Sequence, residues 1–297
     1  MGAGHGTLEG VRRRPRHRPG VVHVAVLALS GTLLSACTST NLSPTGATTA
    51  TRTPSPGTPA GSAASRNVYG ALVFGGADRL LTNEYAHWNP TAPDAVSSPV
   101  WDMTSGSLFV RNGVGYSGRP DRRTVDARST SGTNSAVFRL VTKNRTYKDV
   151  RFAMRFRLLR FTGGEASRDD WDGLHLWLRY HDETQMYVAS LARRDGRTAV
   201  KRKDPGGESN GGTYTLLASA PAAVSLQEWH TAVVTARDIT HEGRDAVRVT
   251  VEVDGATTLD VLDEGGTGTP LRTPGGVGVR ADNCEFEFTD VVVGPPR

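Results

Sequence analysis

Cysteine is nearly absent from this chain of 297 residues. Cys37 and Cys284 are the only two, too few for a disulfide framework or for the four-cysteine spacing of a zinc site. Lysine is scarce as well: four lysines stand among 35 basic residues, an arginine bias read as the mark of a GC-rich bacterial genome. The apolar run from Val21 to Leu34 has fourteen residues, too short to span a bilayer comfortably as a permanent helix. No window of eleven or more residues keeps a helical apolar period.

Positive charge is also lacking where it would have to act. The whole chain carries +5 with a pI near 9.5. The excess lies at the N-terminus, where Arg12, Arg13, Arg14, Arg16 and Arg18 face Glu9 alone, with Arg52 and Arg66 following. From residue 67 onward 28 basic residues meet 29 acidic ones, a net −1. Nucleic-acid binding rests on neutralising phosphates with surplus cations, so the composition argues against a nucleic-acid partner.

What is present begins with an address. The arginines from Arg12 to Arg18 and the apolar run after them have the pattern of a signal peptide over residues 1–36. The run ends in "LLSAC", Leu34-Ser35-Ala36-Cys37, which resembles the lipobox of bacterial lipoproteins. That resemblance implies cleavage before Cys37 and a diacylglycerol on its sulfur. Residues 37–66 are rich in Ser, Thr, Pro, Gly and Ala, with Leu42 as the only large apolar side chain. Such a segment cannot bury enough surface to offset the entropy of ordering, so a flexible tether is expected. The expected location is extracytoplasmic, on the outer face of the bacterial cell membrane, with the membrane as partner through the lipid.

From residue 67 to 297 the pattern is that of short strands. "VRFAMRFRLL" sets Phe152, Met154, Phe156 and Leu158 against Arg151, Arg155 and Arg157, and Asp195-Gly196 and Asp254-Gly255 read as hairpin turns. A dozen or so such segments in one domain predict an all-β sandwich or barrel. "WDGLHLWLRY", Trp171 to Tyr180, alternates Leu174, Leu176 and Leu178 with His175, Trp177 and Arg179. Side chains along a strand point to opposite faces, so the leucines enter the core while the other three share a surface. Two hairpins further on, Lys201 and Lys203 are expected to join that surface, with Ser190 between. Trp171, Tyr180, Asn210 and Tyr214 are expected to extend it from adjoining loops. An indole flanked by hydrogen-bond donors suits a sugar, and this cluster of cations predicts a preference for anionic ones.

The run "WDGLHLWLRYHDETQMYVASLARRDGRTAVKRK", with "EWHTAVVTA", "VRVTVEVDG" and "GGVGVRADNCEFEFTDVVV", resembles the concanavalin A-like lectin/glucanase superfamily. The nearest look is to secreted actinobacterial domains of laminin-G-like or keto-disaccharide-hydrolase-like type. The resemblance implies an all-β, concanavalin A-like jelly-roll β-sandwich of two antiparallel sheets. It also implies a lectin-like polysaccharide binder, with a glycoside hydrolase, a polysaccharide lyase or a protein-binding adhesion module as alternatives on the same fold.

For a hydrolase, the nearest carboxylate pair is Glu285 and Glu287 in "EFEFTD", expected on a solvated strand face opposite Phe286 and Phe288. It lacks the E-x-D-x-x-E spacing of laminarinase-type enzymes. For a lyase, His175, Arg179 and Tyr187 supply suitable residue types, without the R-x-E-L-R and Q-I-H segments of the best-known lyases. Asp169, Asp170 and Asp172 in "RDDWDG" form an oxygen-rich loop that admits a structural calcium. Cys284, in an alternating strand, is expected to be a small buried residue.

Overall fold

A computed structural model of the chain describes residues 70–72, 74–120, 133–134, 137–163 and 168–296. The segments expected to be a signal peptide (residues 1–36) and a tether (residues 37–66), with Cys37, lie outside the described residues.

The strands follow one another as β1 (Gly70–Leu72), β2 (Arg79–Asn83), β3 (Trp101–Ser105), β4 (Ser107–Arg111), β5 (Val114–Tyr116), β6 (Arg119–Pro120), β7 (Thr133–Asn134), β8 (Val137–Thr142) and β9 (Val150–Phe161). There follow β10 (Gly173–Asp182), β11 (Gln185–Leu191), β12 (Arg197–Ser209), β13 (Gly212–Pro221), β14 (His230–His241), β15 (Arg244–Val253), β16 (Ala256–Asp263), β17 (Gly276–Asp282) and β18 (Cys284–Gly294). Among the described residues the only helix is α1 (Tyr85–Trp88), in keeping with the missing helical period.

Two antiparallel sheets pack face to face as a jelly-roll β-sandwich. One runs β13-β12-β11-β10-β17-β8-β3. The other runs β16-β15-β14-β9-β18-β5-β4-β2, with β1 also paired to β18. The chain passes repeatedly between them, as at the β17–β18 corner, where Asn283 takes a left-handed φ of 44°.

The alternation read from the sequence becomes the core. Phe152, Met154, Phe156 and Leu158 of β9 and Phe286 and Phe288 of β18 meet Leu174, Leu176 and Leu178 of β10, all buried. Phe138 of β8 makes an edge contact with Phe286, ring centroids 5.1 Å apart. Burial of this apolar surface, at roughly 25 cal/mol per Å², holds the two sheets together and leaves the outer face of the seven-stranded sheet to carry polar chemistry.

Candidate functional site

The outer face of that sheet can be read row by row from its register. In one row Arg280 of β17 faces His175 of β10, which faces Ser190 of β11, which faces Ala199 of β12. In the next, Gly278, Trp177, Val188, Lys201 and Leu216 stand side by side. In a third, Met186 faces Lys203, which faces Tyr214 of β13. Above these rows lies a cavity of about 370 Å³, lined among others by Trp171, His175, Lys201, Tyr214, Arg280 and Asp282. That volume falls within the usual range of small-ligand sites, about 300–1,000 Å³.

Three local features shape the cavity. Gly278 lets the Trp177 indole lie against the sheet, because a Cβ there would sit 3.0 Å from the Trp177 ring and 2.9 Å from the Leu140 carbonyl. The β12–β13 hairpin turns at Asn210 and Gly211, both at positive φ, and sets Glu208, Ser209 and Asn210 on the rim. On the opposite rim stands Trp171, 50 % exposed. Its loop is pinned by the buried Asp172 carboxylate, which accepts hydrogen bonds from Arg194 Nη2 at 3.0 Å and Asn283 Nδ2 at 2.9 Å.

The floor is a connected polar chain. Asp282 accepts from Arg280 Nε at 2.9 Å. Its other oxygen lies 3.1 Å from His175 Nε2, without the alignment of a good hydrogen bond. His175 Nδ1 lies 2.9 Å from Ser190 Oγ. With a carboxylate beside Nε2, the ring proton belongs on that nitrogen, leaving Nδ1 to accept from the Ser190 hydroxyl. Burial lowers the His175 pKa by more than Asp282 raises it, so the ring is neutral. Burial alone would raise the Asp282 pKa, but the Arg280 charge and the His175 contact outweigh it and hold the carboxyl well below the usual range. Burial also depresses Lys201 and Lys203, the latter to about 8, and pushes the Tyr214 phenol up.

The cavity therefore gathers His175, Trp177, Ser190, Lys201, Lys203, Trp171, Asn210 and Tyr214 from the residues singled out in the sequence. Arg179 is a correction. A β-bulge between Trp177 and Tyr180 inserts one residue, with Arg179 at a φ of 50°, and the alternation slips. Arg179 turns to the leucine side, fully buried, where it donates to Asp238 Oδ1 at 2.7 Å, to the Leu271 carbonyl at 2.7 Å and to the Lys148 carbonyl at 2.8 Å.

The same slip carries Tyr180 to the outer face. It is a strand residue rather than a loop one, and it stacks on Trp177 with ring centroids 5.1 Å apart instead of lining the cavity. Trp177, only 2 % exposed, contributes a covered floor and has no open face for stacking; Trp171 supplies the open indole. Lys203 is likewise drawn down, its Nζ donating to the Glu183 carbonyl.

Other expectations change too. Among the described residues no group of His, Cys, Asp or Glu is placed to hold a metal ion, and the Asp172 oxygens that were to share a calcium with Asp169 and Asp170 are spent on Arg194 and Asn283. Glu285 and Glu287 are buried on the other sheet rather than solvated. Glu287 pairs with Arg111 at 2.7 Å and with Arg157, and Glu285 with Arg160 at 2.6 Å. Tyr187 faces inward to Asp263, 2.5 Å away, and so cannot serve as an outer-face base. Cys284 is buried, as its strand position predicts, and burial pushes its thiol pKa up.

Arg280 and Asp282 were missed. Their signal was present: "GVGVRAD" alternates Val277, Val279 and Ala281 with Gly278, Arg280 and Asp282. The pairing of β17 with β10, about a hundred residues earlier, was not legible.

No family model matches the chain, and no curated protein sequence matches it. Solved structures do resemble it. The carbohydrate binding module CBM66 from Bacillus subtilis is 10 % identical over 65 % of this chain and 94 % of its own, with a TM-score of 0.44. A Bacillus subtilis protein of unknown function with a galectin-like fold is 12 % identical over 75 % and 98 %, TM-score 0.46. The VIP36 exoplasmic/lumenal domain in metal-free form is 14 % identical over 73 % and 92 %, TM-score 0.43. At such identities and scores the likeness bears on neither the ligand nor the activity of this chain.

Proposed function

We propose that the sandwich is a carbohydrate-binding, lectin-like domain that takes polysaccharide through the cavity on its seven-stranded sheet. The carrying observation is the pairing of one open indole, Trp171, with a floor and far wall of fixed donors and acceptors. A pyranose ring has an apolar face that suits an aromatic and hydroxyls that need directional partners; Ser209, Asn210, Tyr214 and Lys201 supply these opposite Trp171. The domain is held on the outer face of the membrane by a lipid on Cys37 and carried outward by the Ser/Thr/Pro-rich tether.

A glycan array on the full chain tests the reading. Trp171→Ala should weaken binding to the best array ligand by about 1–3 kcal/mol, the range found for stacking on aromatics. Because the side chain is half exposed, stability should move by no more than about 0.5 kcal/mol. Unchanged affinity in a folded Trp171→Ala protein would remove the platform, and an array without a single ligand would sink the reading.

A further inference from the structure

Two cations in the cavity lack sufficient counter-charge. Lys201 Nζ makes no ion pair or hydrogen bond among the described residues; it lies 5.6 Å from the Tyr214 ring centroid and feels the charges of Asp195 and Asp282 only at a distance, against those of Arg193 and Arg280. Arg280 spends its Nε on Asp282, which is its one ion-pair partner among the described residues, and the paired N–H groups at the end of the guanidinium have no acid of their own. Of the charged residues lining the cavity, Lys201, Lys203 and Arg280 stand against Glu208 and Asp282, one positive charge in excess. Glu208 is exposed on the rim. Partly buried cations without partners are costly, and a concave surface concentrates their field.

The placement is specific. Strands lie about 4.8 Å apart and residues rise about 3.4 Å along each, so the Lys201 and Arg280 backbones, three strands and two residues from each other, are separated by about 16 Å. Both long side chains line the same cavity, with His175 and Ser190 between them. Asp282, steadied by His175, holds Arg280 by Nε, and the Tyr214 hydroxyl accepts from the same guanidinium; no acid pairs with the terminal N–H groups among the described residues. A planar fork matches a planar carboxylate in bidentate fashion, and one monoanion balances the excess charge.

We propose that the cavity recognises a hexuronic acid unit, its carboxylate seated between the Arg280 fork and Lys201 Nζ, with Asp282 and His175 acting as positioning residues. This rests on the carbohydrate reading above and adds the class of sugar. It replaces Arg179 with Arg280 as the arginine that selects an anion.

The test uses the full chain in titration calorimetry against a panel of hexuronate oligosaccharides, each beside its neutral methyl ester, with sulfated oligosaccharides, free glucuronate and inorganic sulfate as further arms. The acid form should bind at least ten-fold more tightly than its ester, with the preference shrinking as salt rises. Arg280→Gln should abolish the preference while leaving ester binding in place, and Arg280→Lys should restore it only in part. Lys201→Met, at a position with no bonds to lose, should reduce the preference several-fold even where Arg280→Gln fails to fold.

Equal binding of acid and ester, or an acid preference untouched in the Lys201→Met and Arg280→Gln proteins, overturns the inference while the carbohydrate reading stands. Sulfated sugars bound as tightly as hexuronates overturn the assignment to a carboxylate. Free glucuronate and sulfate bound as well as the oligosaccharides would leave an anion site and overturn the carbohydrate reading. No binding in any arm overturns both.

Discussion

Lys203 is a charge held in an unfavourable place. Its stem crosses the β12–β13 hairpin where a Cβ on Gly212 would lie 2.6 Å from Lys203 Cε, and its ammonium sits 4.9 Å from the Tyr214 ring centroid. Burial, with Arg280 adding repulsion, brings its pKa from 10.5 down to about 8. In this window the unfolded chain keeps a proton that the folded protein has lost. Stability from this residue therefore rises with pH between about 8 and 10.5, and below pH 8 the full cost of the buried charge is present. Urea unfolding of the parent and of Lys203→Met at pH 7.5, 8.5 and 9.5 should show the parent gaining on the variant as pH rises. Parallel curves would mean that the lysine is not titrating there.

At the scale of elements, the bulge in β10 decides what the strand does. Without it Arg179 would share the outer face with His175 and Trp177. With it, Arg179 ties β10 to Asp238 of β14 and to the Asp149 carboxylate, 2.7 Å and 3.3 Å away. Removing one partner of a buried ion pair leaves the other uncompensated, at a cost of about 3–5 kcal/mol. Arg179→Ala should approach the lower end, since Asp149 is half exposed and Lys148 remains 3.1 Å from Asp238. Chemical denaturation measures the loss. Glycan affinity of the folded fraction should match the parent; a protein of unchanged stability with reduced affinity would reverse the assignment.

At the scale of the whole molecule, the two sheets divide their duties. The outer face of the nine-stranded sheet carries closed ion pairs, Glu285 and Glu287 under Arg160, Arg157 and Arg111. The outer face of the seven-stranded sheet also carries pairs, Arg280 with Asp282 and Arg139 with Glu183, but leaves Lys201 facing the cavity without an ion-pair partner among the described residues. A face proposed to meet polysaccharide outside the cell goes with the proposed lipid anchor on Cys37. Cys37→Ala should release the protein from membranes and remove the lipid mass increment, and unchanged fractionation with unchanged mass would refute the anchor. Protease should trim the Ser/Thr/Pro-rich segment and halt near residue 67; a stable fragment that starts well past residue 80 would refute that boundary.

The sequence by itself determined the alternation. Period-two patterning in β9, β10 and β18 assigns each side chain to the core or to an outer face, because a strand has no other choice, and this was enough for an all-β sandwich with His175, Trp177, Ser190, Lys201 and Lys203 on a common surface. It could not determine where the period slips, since a bulge depends on how two strands are paired and not on the residues of one. Arg179 therefore went to the interior, and Tyr180, expected in a loop, came to the outer face as a strand residue. Nor could it bring Arg280 and Asp282 to His175, because antiparallel pairing between segments a hundred residues apart is settled by the closure of the whole sandwich. Burial, too, belongs to the tertiary structure: the same alternation that put Trp177 outward left it covered, and left Trp171, in a loop without periodicity, as the exposed ring.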